Sequence, residues 1–195
     1  MKDFLETFMP LCRRLNERER FDILSSLWDA HRNSAIENES GSKVVARIIG
    51  EGSGSFGHSA CGAILSVGSK HGPILEARRV LVGLSPDEAF SIATKGGIIP
   101  GFGNSFFRDG IDPAWQGTFN LLALKCRNEI AILMAINEAI GRAGHKIFPN
   151  AAGISAVACE ALGLPYGIED AIFIMPRMNV WLSDFILHNA LKGEA

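Results

Sequence analysis

The spacing of apolar residues constrains the fold of this chain more than any other feature. Apolar side chains recur three or four residues apart along nearly the whole sequence, beginning with Phe4, Leu5, Phe8, Leu11 and Leu15. That spacing gathers them on one face of an α-helix, whereas no segment shows the strict alternation of a half-buried β-strand. The pattern therefore predicts an all-α protein.

Capping and helix-breaking residues indicate where the helices begin and end. Ser85-Pro86-Asp87-Glu88 is a capping box with proline in the first turn, and the helix that it opens should end near Gly96-Gly97. Longer helical patterns follow at 119–142, at 151–162, where Gly163 marks the end, and at 168–191, where Pro176 interrupts the pattern. Helices are thus expected along almost the whole chain.

Glycine clusters mark the places where the backbone needs positive φ or a close approach. They lie at 50–57, at Gly96-Gly97 and in Pro100-Gly101-Phe102-Gly103. The first cluster superficially resembles a phosphate-binding loop, but it lacks the Gly-Lys-Ser/Thr ending and follows no β-rich strand. A flexible connection between helices is the better interpretation of 50–57.

Length and charge exclude some classes of function. The 195 residues suffice for one domain that buries roughly two-thirds of its surface. The 19 Lys and Arg residues and 21 Asp and Glu residues are spread along the sequence, with a formal net charge of −2, so no nucleic-acid partner is expected. The longest apolar stretches, such as 129–140, are broken by polar residues well short of the ~20 that a bilayer span requires, so no membrane partner is expected either.

Cysteines and histidines suggest neither a disulfide framework nor a metal site. Cys12, Cys61, Cys126 and Cys159 contain no C-x-x-C pair, and His58 beside Cys61 lacks a second pair with ligand spacing. The first residues do not have the composition of a secretory signal. We therefore expect a reduced, cytoplasmic protein without a bound metal.

Three segments, taken in order, resemble the signature of the citrate synthase and citryl-CoA lyase superfamily. The first, 69–77, is similar to a loop-to-helix motif with a His-Gly pair followed by Glu-Ala. The second, 99–104 followed by Asp112-Pro113, is similar to a Pro-Gly-aromatic-Gly-His run with a downstream Asp-Pro-Arg. The third resembles an Asn-Val-Asp stretch, a helix ending in Leu-Gly-hydrophobic-Pro and a helix with Phe-x-x-x-Arg, at 150–153, 161–165 and 173–177.

This resemblance extends over about 29–187 and has consequences for architecture. It implies a single citrate synthase-like, multi-helical domain over 1–195, truncated at the N-terminus relative to full-length synthases. Helices at roughly 72–165 would correspond to the small subdomain. Because helices of this family pair across a two-fold axis, and because a short chain with so much apolar helix needs a partner to cover it, we expect a homodimer.

The chemistry of that family proceeds through the enolate of an acyl-CoA thioester. The α-carbon is a very weak acid, so the reaction needs a carboxylate base beside it and a hydrogen-bond donor at the thioester oxygen. In the family the aspartate of Asn-Val-Asp is the base and the histidine of His-Gly is the donor. The second histidine polarises the carbonyl under attack, and arginines bind the carboxylates of the acid through forked hydrogen bonds.

Carried over to this sequence, the resemblance assigns catalytic roles to His71, as thioester-oxygen donor, and to Asn104, as carbonyl donor. It implies that Arg177 and Phe173 bind the acid and that His31 lies near the same pocket, although a histidine favoured by a helix C-terminus explains His31 equally well. The loop that wraps the CoA adenine through backbone groups corresponds to Ile99, Pro100, Gly101, Phe102 and Gly103.

Three positions depart from the family pattern. Asn104 replaces the second histidine, Ala152 replaces the catalytic aspartate, and Ala114 replaces the arginine of Asp-Pro-Arg. Asparagine still donates a hydrogen bond, but alanine has no group that can act as a base. A relocated base would have to come from elsewhere, and the candidates are Asp109, Asp112 and Glu76.

One leading hypothesis and two alternatives follow for the function. The leading hypothesis is an enzyme that acts on an acyl-CoA thioester and a carboxylic acid and forms or cleaves a carbon-carbon bond. The first alternative is a non-catalytic relative that binds CoA or serves as a partner subunit. The second is a thioester decarboxylase, because loss of carbon dioxide from a malonyl-type thioester requires no base.

Overall fold

A computed structural model describes residues 1–37, 41–53, 55–67, 73–103 and 109–192. Within these ranges the chain forms ten α-helices and one short 3-10 helix, and no β-strand. The one strand-like contact in the described part is an antiparallel bridge between Phe102 and Pro149. The predicted all-α fold is confirmed.

The helices follow one another with short connections. They are α1 (Lys2–Phe8), a 3-10 helix (Met9–Leu11), α2 (Glu17–Glu37), α3 (Gly41–Ser53), α4 (Phe56–Leu65), α5 (Ile74–Gly83), α6 (Pro86–Thr94), α7 (Pro113–Lys125), α8 (Arg127–Arg142), α9 (Ala151–Leu162) and α10 (Glu169–Lys192). In the described part of the chain, none of them combines the length and the apolarity needed to cross a bilayer.

Several predicted boundaries are confirmed by the capping geometry. The Ser85 hydroxyl accepts a hydrogen bond from the Glu88 backbone N–H at 3.3 Å, and the Glu88 carboxylate accepts one from the Ser85 backbone N–H at 2.9 Å, which completes the capping box of α6. Helix α9 ends at Gly163, whose φ of 64° lies in the left-handed region that glycine tolerates.

Other boundaries differ from the sequence pattern. The pattern at 119–142 belongs to two helices, α7 and α8, because Cys126 leaves the helical region with φ −128° and ψ 55°. Pro176 does not interrupt α10, whose packing against α2, α3, α4 and α5 offsets the one backbone hydrogen bond that proline removes. The first apolar pattern stops at Phe8, since Pro10 opens a 3-10 turn and Leu15 has a φ of 67°.

Helix α9 lies at the centre of the fold. Ten of its 12 residues are buried, and it packs against α2, α5, α7 and α8. Most of its side chains are Ala, Gly, Ser or Cys, which let neighbouring backbones come close. The side chains of α9 therefore contact neighbouring helices on several sides.

A second group of helices consists of α3, α4 and α10, which pack on one another. The connection at 50–57 joins two of them, with α3 continuing to Ser53 and α4 beginning at Phe56. The exposed apolar side chains of these three helices include Ile48, Ile49, Phe56, Ile64, Leu65, Ile186 and Leu187. Apolar surface of this kind on neighbouring helices is typical of an interface.

Candidate active site

A buried polar cluster connects α2 and α10. Nε of Arg177 donates a hydrogen bond to Nδ1 of His31 at 3.2 Å, and the Arg177 guanidinium lies 4.1 Å above the Phe173 ring centre. The His31 ring also packs edge-on against Phe173 at 5.4 Å. His31 is 0% exposed and Arg177 only 4%. The fold thus brings together the three residues that the resemblance assigned to the acid pocket.

Two further side chains complete this cluster, and sequence reasoning had missed both. The Ser155 hydroxyl of α9 lies 3.1 Å from Nε2 of His31, and the Trp115 ring of α7 meets the His31 ring edge-on at 4.6 Å. Because Nδ1 accepts from Arg177, we assign the imidazole proton to Nε2, which then donates to Ser155. Only their positions in the sequence could have pointed to them. Trp115 lies just after Asp112-Pro113, and Ser155 lies one helical turn after Ala152.

The electrostatics of the cluster favour one positive charge. Burial, and then the charge of Arg177, hold the pKa of His31 well below its ordinary value of 6.5, so the imidazole is neutral at pH 7. Burial lowers the pKa of Arg177 to about 9, against the opposing effect of Asp112, so the guanidinium stays cationic. Among the described residues, no carboxylate forms an ion pair with Arg177. The cluster therefore holds a buried cation that can receive an anionic group.

The three candidates for a relocated base have very different surroundings. The Asp109 side chain is 89% exposed and pairs with Lys146 at 2.6 Å, which lowers the pKa of its carboxyl group. Glu76 is half-buried in α5. Asp112 is buried, accepts a hydrogen bond from the Ala114 backbone N–H at 2.9 Å, and lies near enough to raise the pKa of Arg177. Of the three, Asp112 is the acid associated with the cluster.

The loop Ile99–Gly103 is held by backbone contacts to the residues before α9. Gly101 and Gly103 have φ of 92° and 83°, as expected for positions that need glycine. The Gly101 carbonyl accepts from the Asn150 backbone N–H at 3.0 Å, and the Gly103 carbonyl accepts from the Asn150 side-chain amide at 2.8 Å. A Cβ atom at Gly101 would lie 3.0 Å from Cα of Gly153, so loop and helix are in close contact.

Beside this loop lies a pocket of about 290 Å³ with a mostly apolar wall. His145 contributes a polar group, but its Nε2 is engaged with the Ala93 carbonyl at 2.9 Å. The remaining lining residues are Ala93, Gly96, Gly97, Ile98, Ile99, Phe102, Gly103, Ile140 and Ile147. A pocket of this character suits a flat, largely apolar group whose polar edge meets backbone groups.

The first turns of α9 join the loop to the cluster. Asn150 caps the helix by accepting from the backbone N–H groups of Ala152 and Gly153 at 2.9 and 3.2 Å, while it also holds Gly103. Ser155, one turn further on, holds His31. Between them Ala152 is buried and presents a methyl group on the helix face that also carries Ser155. No side-chain carboxylate is therefore present at this point.

Comparison with solved structures identifies the architecture. Citryl-CoA lyase from Hydrogenobacter thermophilus superposes with a TM-score of 0.76 at 20% sequence identity, over 93% of this chain and 73% of the lyase chain. Citrate synthase from Pyrobaculum aerophilum superposes with a TM-score of 0.65 at 24% identity, over 85% of this chain and 45% of that one. The chain has the fold of citryl-CoA lyase and citrate synthase.

The same citrate synthase-like fold occurs in a larger protein. ATP citrate lyase from Methanothrix soehngenii, in complex with citrate and coenzyme A, superposes with a TM-score of 0.67 at 16% identity, over 88% of this chain and 31% of that one. No protein-family model matches the chain, and no curated protein matches it. The resemblance seen in the motifs is thus confirmed for the fold, by structures with little sequence in common.

The structure describes some of the predicted site residues and not others. His31, Phe173 and Arg177 form the buried cluster, and Ile99–Gly103 forms the loop beside the pocket. His71 and Asn104, to which the resemblance assigned the catalytic roles, lie outside the described residues. Their roles stay predictions.

Proposed function

We propose that the chain is a citrate synthase- or citryl-CoA lyase-like enzyme that acts on an acyl-CoA thioester and a carboxylate-bearing co-substrate. It would form or break a carbon-carbon bond through an enolate. The observation that carries the proposal is the position of α9: Asn150 holds the loop Ile99–Gly103 and Ser155 holds the His31–Arg177 pair. The residues proposed to bind the two ligands are therefore in contact with the N-terminal turns of one helix.

The buried cation supports the carboxylate half of this proposal. Nε of Arg177 is bound to neutral His31, and the guanidinium face rests on Phe173. Its outer nitrogens are the groups that would bind a carboxylate through paired, charge-assisted hydrogen bonds. Such a ligand would also offset the desolvation that lowers the pKa of Arg177 to about 9.

The loop and its pocket support the CoA half. The adenine ring would occupy the apolar pocket of about 290 Å³, with its polar edge toward backbone groups of Ile99–Gly103. Recognition through the backbone tolerates changes of the loop side chains, and Gly103, which has no side chain, leaves the backbone open on the pocket side. In this arrangement His71 would donate to the thioester oxygen and Asn104 to the carbonyl under attack.

The buried methyl group of Ala152 favours a second candidate function, decarboxylation of a malonyl-type thioester. The bond between the α-carbon and the carboxylate would break, carbon dioxide would leave, and the electron pair would form the enolate. His71 would stabilise the enolate oxygen and a proton from water would complete the product. The buried, uncharged side chain of Ala152 would not repel the charged carboxylate, and its loss as carbon dioxide requires no base. The other alternative is CoA binding without turnover.

Binding and turnover of defined thioesters test these candidates. Acetyl-CoA should bind in calorimetry, and Gly103→Leu, which fills the pocket, should weaken it at least about tenfold. Gly167→Leu is the matched control, because Gly167 has a φ of 95° and no heavy atom lies within 4 Å of the place that a Cβ atom would occupy. Absence of acetyl-CoA binding by the unaltered protein would overturn the proposal.

Mass spectrometry of the products would then separate the reactions. Turnover of acetyl-CoA with a 2-oxo acid, or cleavage of citryl-CoA, would support the lyase or synthase. Turnover of malonyl-CoA alone would support the decarboxylase. Binding of every thioester without any product would leave the non-catalytic alternative.

We also propose that the chain forms a homodimer through the exposed apolar side chains of α3, α4 and α10. Leu65, 83% exposed, is the most accessible of them. Light scattering should give about twice the chain mass of 21.0 kDa at micromolar concentration. A monomeric mass would contradict this proposal.

A further inference from the structure

The pocket beside the loop Ile99–Gly103 has a wall with one polar side chain. All ten of its lining residues belong to the described chain, and His145 is the one among them whose side chain can form a hydrogen bond. The others are alanine, glycine, isoleucine and phenylalanine. Along this wall, a ligand therefore meets one polar side chain, and its other polar contacts are to the backbone.

The hydrogen bond that His145 forms within the protein determines its tautomer. Nε2 lies 2.9 Å from the carbonyl oxygen of Ala93. Because a carbonyl oxygen only accepts hydrogen bonds, we assign the proton to Nε2, and in the neutral ring Nδ1 then has a lone pair. The neutral imidazole therefore offers a ligand an acceptor and not a donor.

Several backbone donors of the same wall are already engaged within the protein. Four lining residues donate their backbone N–H to protein carbonyl oxygens at 2.8 to 3.2 Å, namely Gly96, Gly97, Phe102 and Gly103. A backbone N–H has a single hydrogen to donate, whereas a carbonyl oxygen has two lone pairs and can accept from a ligand as well. The wall thus suits a flat group whose polar edge donates hydrogen bonds.

We infer that this pocket selects a 6-aminopurine over a 6-oxopurine, with His145 as a specificity-determining residue. Nδ1 of His145 accepts one hydrogen of the exocyclic amine, the other hydrogen is left for a backbone carbonyl, and the ring packs on the apolar side chains of the wall. A 6-oxopurine places an oxygen against the lone pair of Nδ1, and neither group can donate. The inference rests on the proposed function, because it states how the CoA site recognises the base.

Calorimetry with a matched pair of thioesters tests the preference. The probes are acetyl-CoA and its deaminated analogue, in which hypoxanthine replaces adenine. Acetyl-CoA should bind at least about tenfold more tightly, because the analogue loses the hydrogen bond of the amine and leaves Nδ1 facing an oxygen. Equal affinities, or tighter binding of the analogue, would overturn the inference.

Substitutions at position 145 test whether His145 is responsible. His145→Phe keeps an aromatic ring and removes both nitrogens, so the tenfold preference should fall to about threefold or less. His145→Gln retains a donor for the Ala93 carbonyl and an acceptor for the amine, and should keep most of the preference. His58→Phe, at an exposed position in α4, is the control and should leave it unchanged. An unchanged preference in His145→Phe, or a loss that His145→Gln shares in full, would overturn the role given to His145.

The affinity for acetyl-CoA itself separates this inference from the proposed function. If acetyl-CoA binds and its deaminated analogue binds equally well, the inference fails and the proposed function stands. If the unaltered protein binds neither thioester, the proposed function fails as well. Weaker binding of both thioesters by His145→Phe, with their ratio unchanged, would show that His145 shapes the pocket without recognising the amine, which also overturns the inference.

Discussion

The two buried arginines of the described chain have opposite surroundings. Arg78, in α5, pairs with Glu160 and Glu169, donates to the carbonyls of Leu164 and Pro165 at 3.0 and 3.3 Å, and lies 3.9 Å above the Tyr166 ring. Arg177, in α10, has one side-chain hydrogen bond within the described part, to a neutral histidine. Both lie almost entirely out of solvent.

This difference separates a structural cation from one suited to a ligand. Burial opposes the charge of both guanidinium groups, but nearby Cys159, Glu160 and Glu169 raise the pKa of Arg78. Burial lowers the pKa of Arg177 to about 9. Arg78 links α5 to the connection between α9 and α10 through ion pairs and hydrogen bonds. Arg177 keeps a positive charge and N–H donors that can bind an anion.

Replacing each arginine by methionine tests whether Arg78 has a structural role that Arg177 lacks. Arg78→Met leaves Glu169 buried without its partner, so the free energy of unfolding should fall by roughly 3–5 kcal/mol. Arg177→Met strands no carboxylate that pairs with it in the described structure, and its cost should be less than about 2 kcal/mol. Urea unfolding of the two variants measures both values, and equal losses would contradict the distinction.

A carboxylate at position 152 should supply the base that the candidate site lacks. Ala152→Asp puts an acid in the first turn of α9, where the helix dipole stabilises a negative charge. Exchange of α-deuterium from labelled acetyl-CoA into water should accelerate at least about a hundredfold. Ala152→Asn, which has the same shape and no basic group, is the control. Equal rates in both variants, with acetyl-CoA still bound, would contradict an enolate site at this position.

Arg177 should matter for binding more than for folding. Arg177→Met should weaken the carboxylic acid ligand by about 1.5–3 kcal/mol, the range for hydrogen bonds to charged groups, with acetyl-CoA affinity nearly unchanged. Calorimetry measures both ligands. Arg142→Met is the control, because Arg142 contacts the Phe90 ring at 5.8 Å, away from the cluster. Acid affinity that survives in Arg177→Met would show that the carboxylate binds elsewhere.

His31 should make stability depend on pH. Its pKa in the folded protein lies well below the value of 6.5 expected when unfolded, so the unfolded chain binds the extra proton first. Stability is therefore unaffected by His31 above about pH 6.5 and falls below it, by at most about 1.4 kcal/mol per pH unit.

Comparing the unfolding free energy at pH 7 and pH 5.5 measures this dependence. His31→Gln should flatten it, whereas His58→Gln, at an exposed position, should retain it. If the His31→Gln variant keeps the full slope, another group is responsible for it.

Several helix boundaries of this fold could be predicted from short-range sequence signals. The capping box at Ser85 and the glycine at 163 determine their helix ends through neighbouring residues, so both were predictable. Cys126 was not, because nothing in its residue type demands the non-helical backbone that separates α7 from α8. Pro176 suggested a break that tertiary packing of α10 prevents.

The candidate site was predictable to a similar extent. His31 and Arg177 lie 146 residues apart, and motif resemblance pointed to both of them before the fold joined them. Ser155 sits in a run of small residues, where one serine is indistinguishable from a packing residue. Trp115 looks like an ordinary core aromatic, and the burial of Arg177 depends on helices far away in the sequence.

A crystal structure with bound acetyl-CoA and a 2-oxo acid such as oxaloacetate tests the central claim most directly, namely that the N-terminal turns of α9 join a CoA site to an acid site. The account predicts the adenine in the pocket beside Ile99 and Gly103, and the acid carboxylate on the outer nitrogens of Arg177. CoA bound away from this loop, or an acid that leaves Arg177 without a carboxylate, would contradict it.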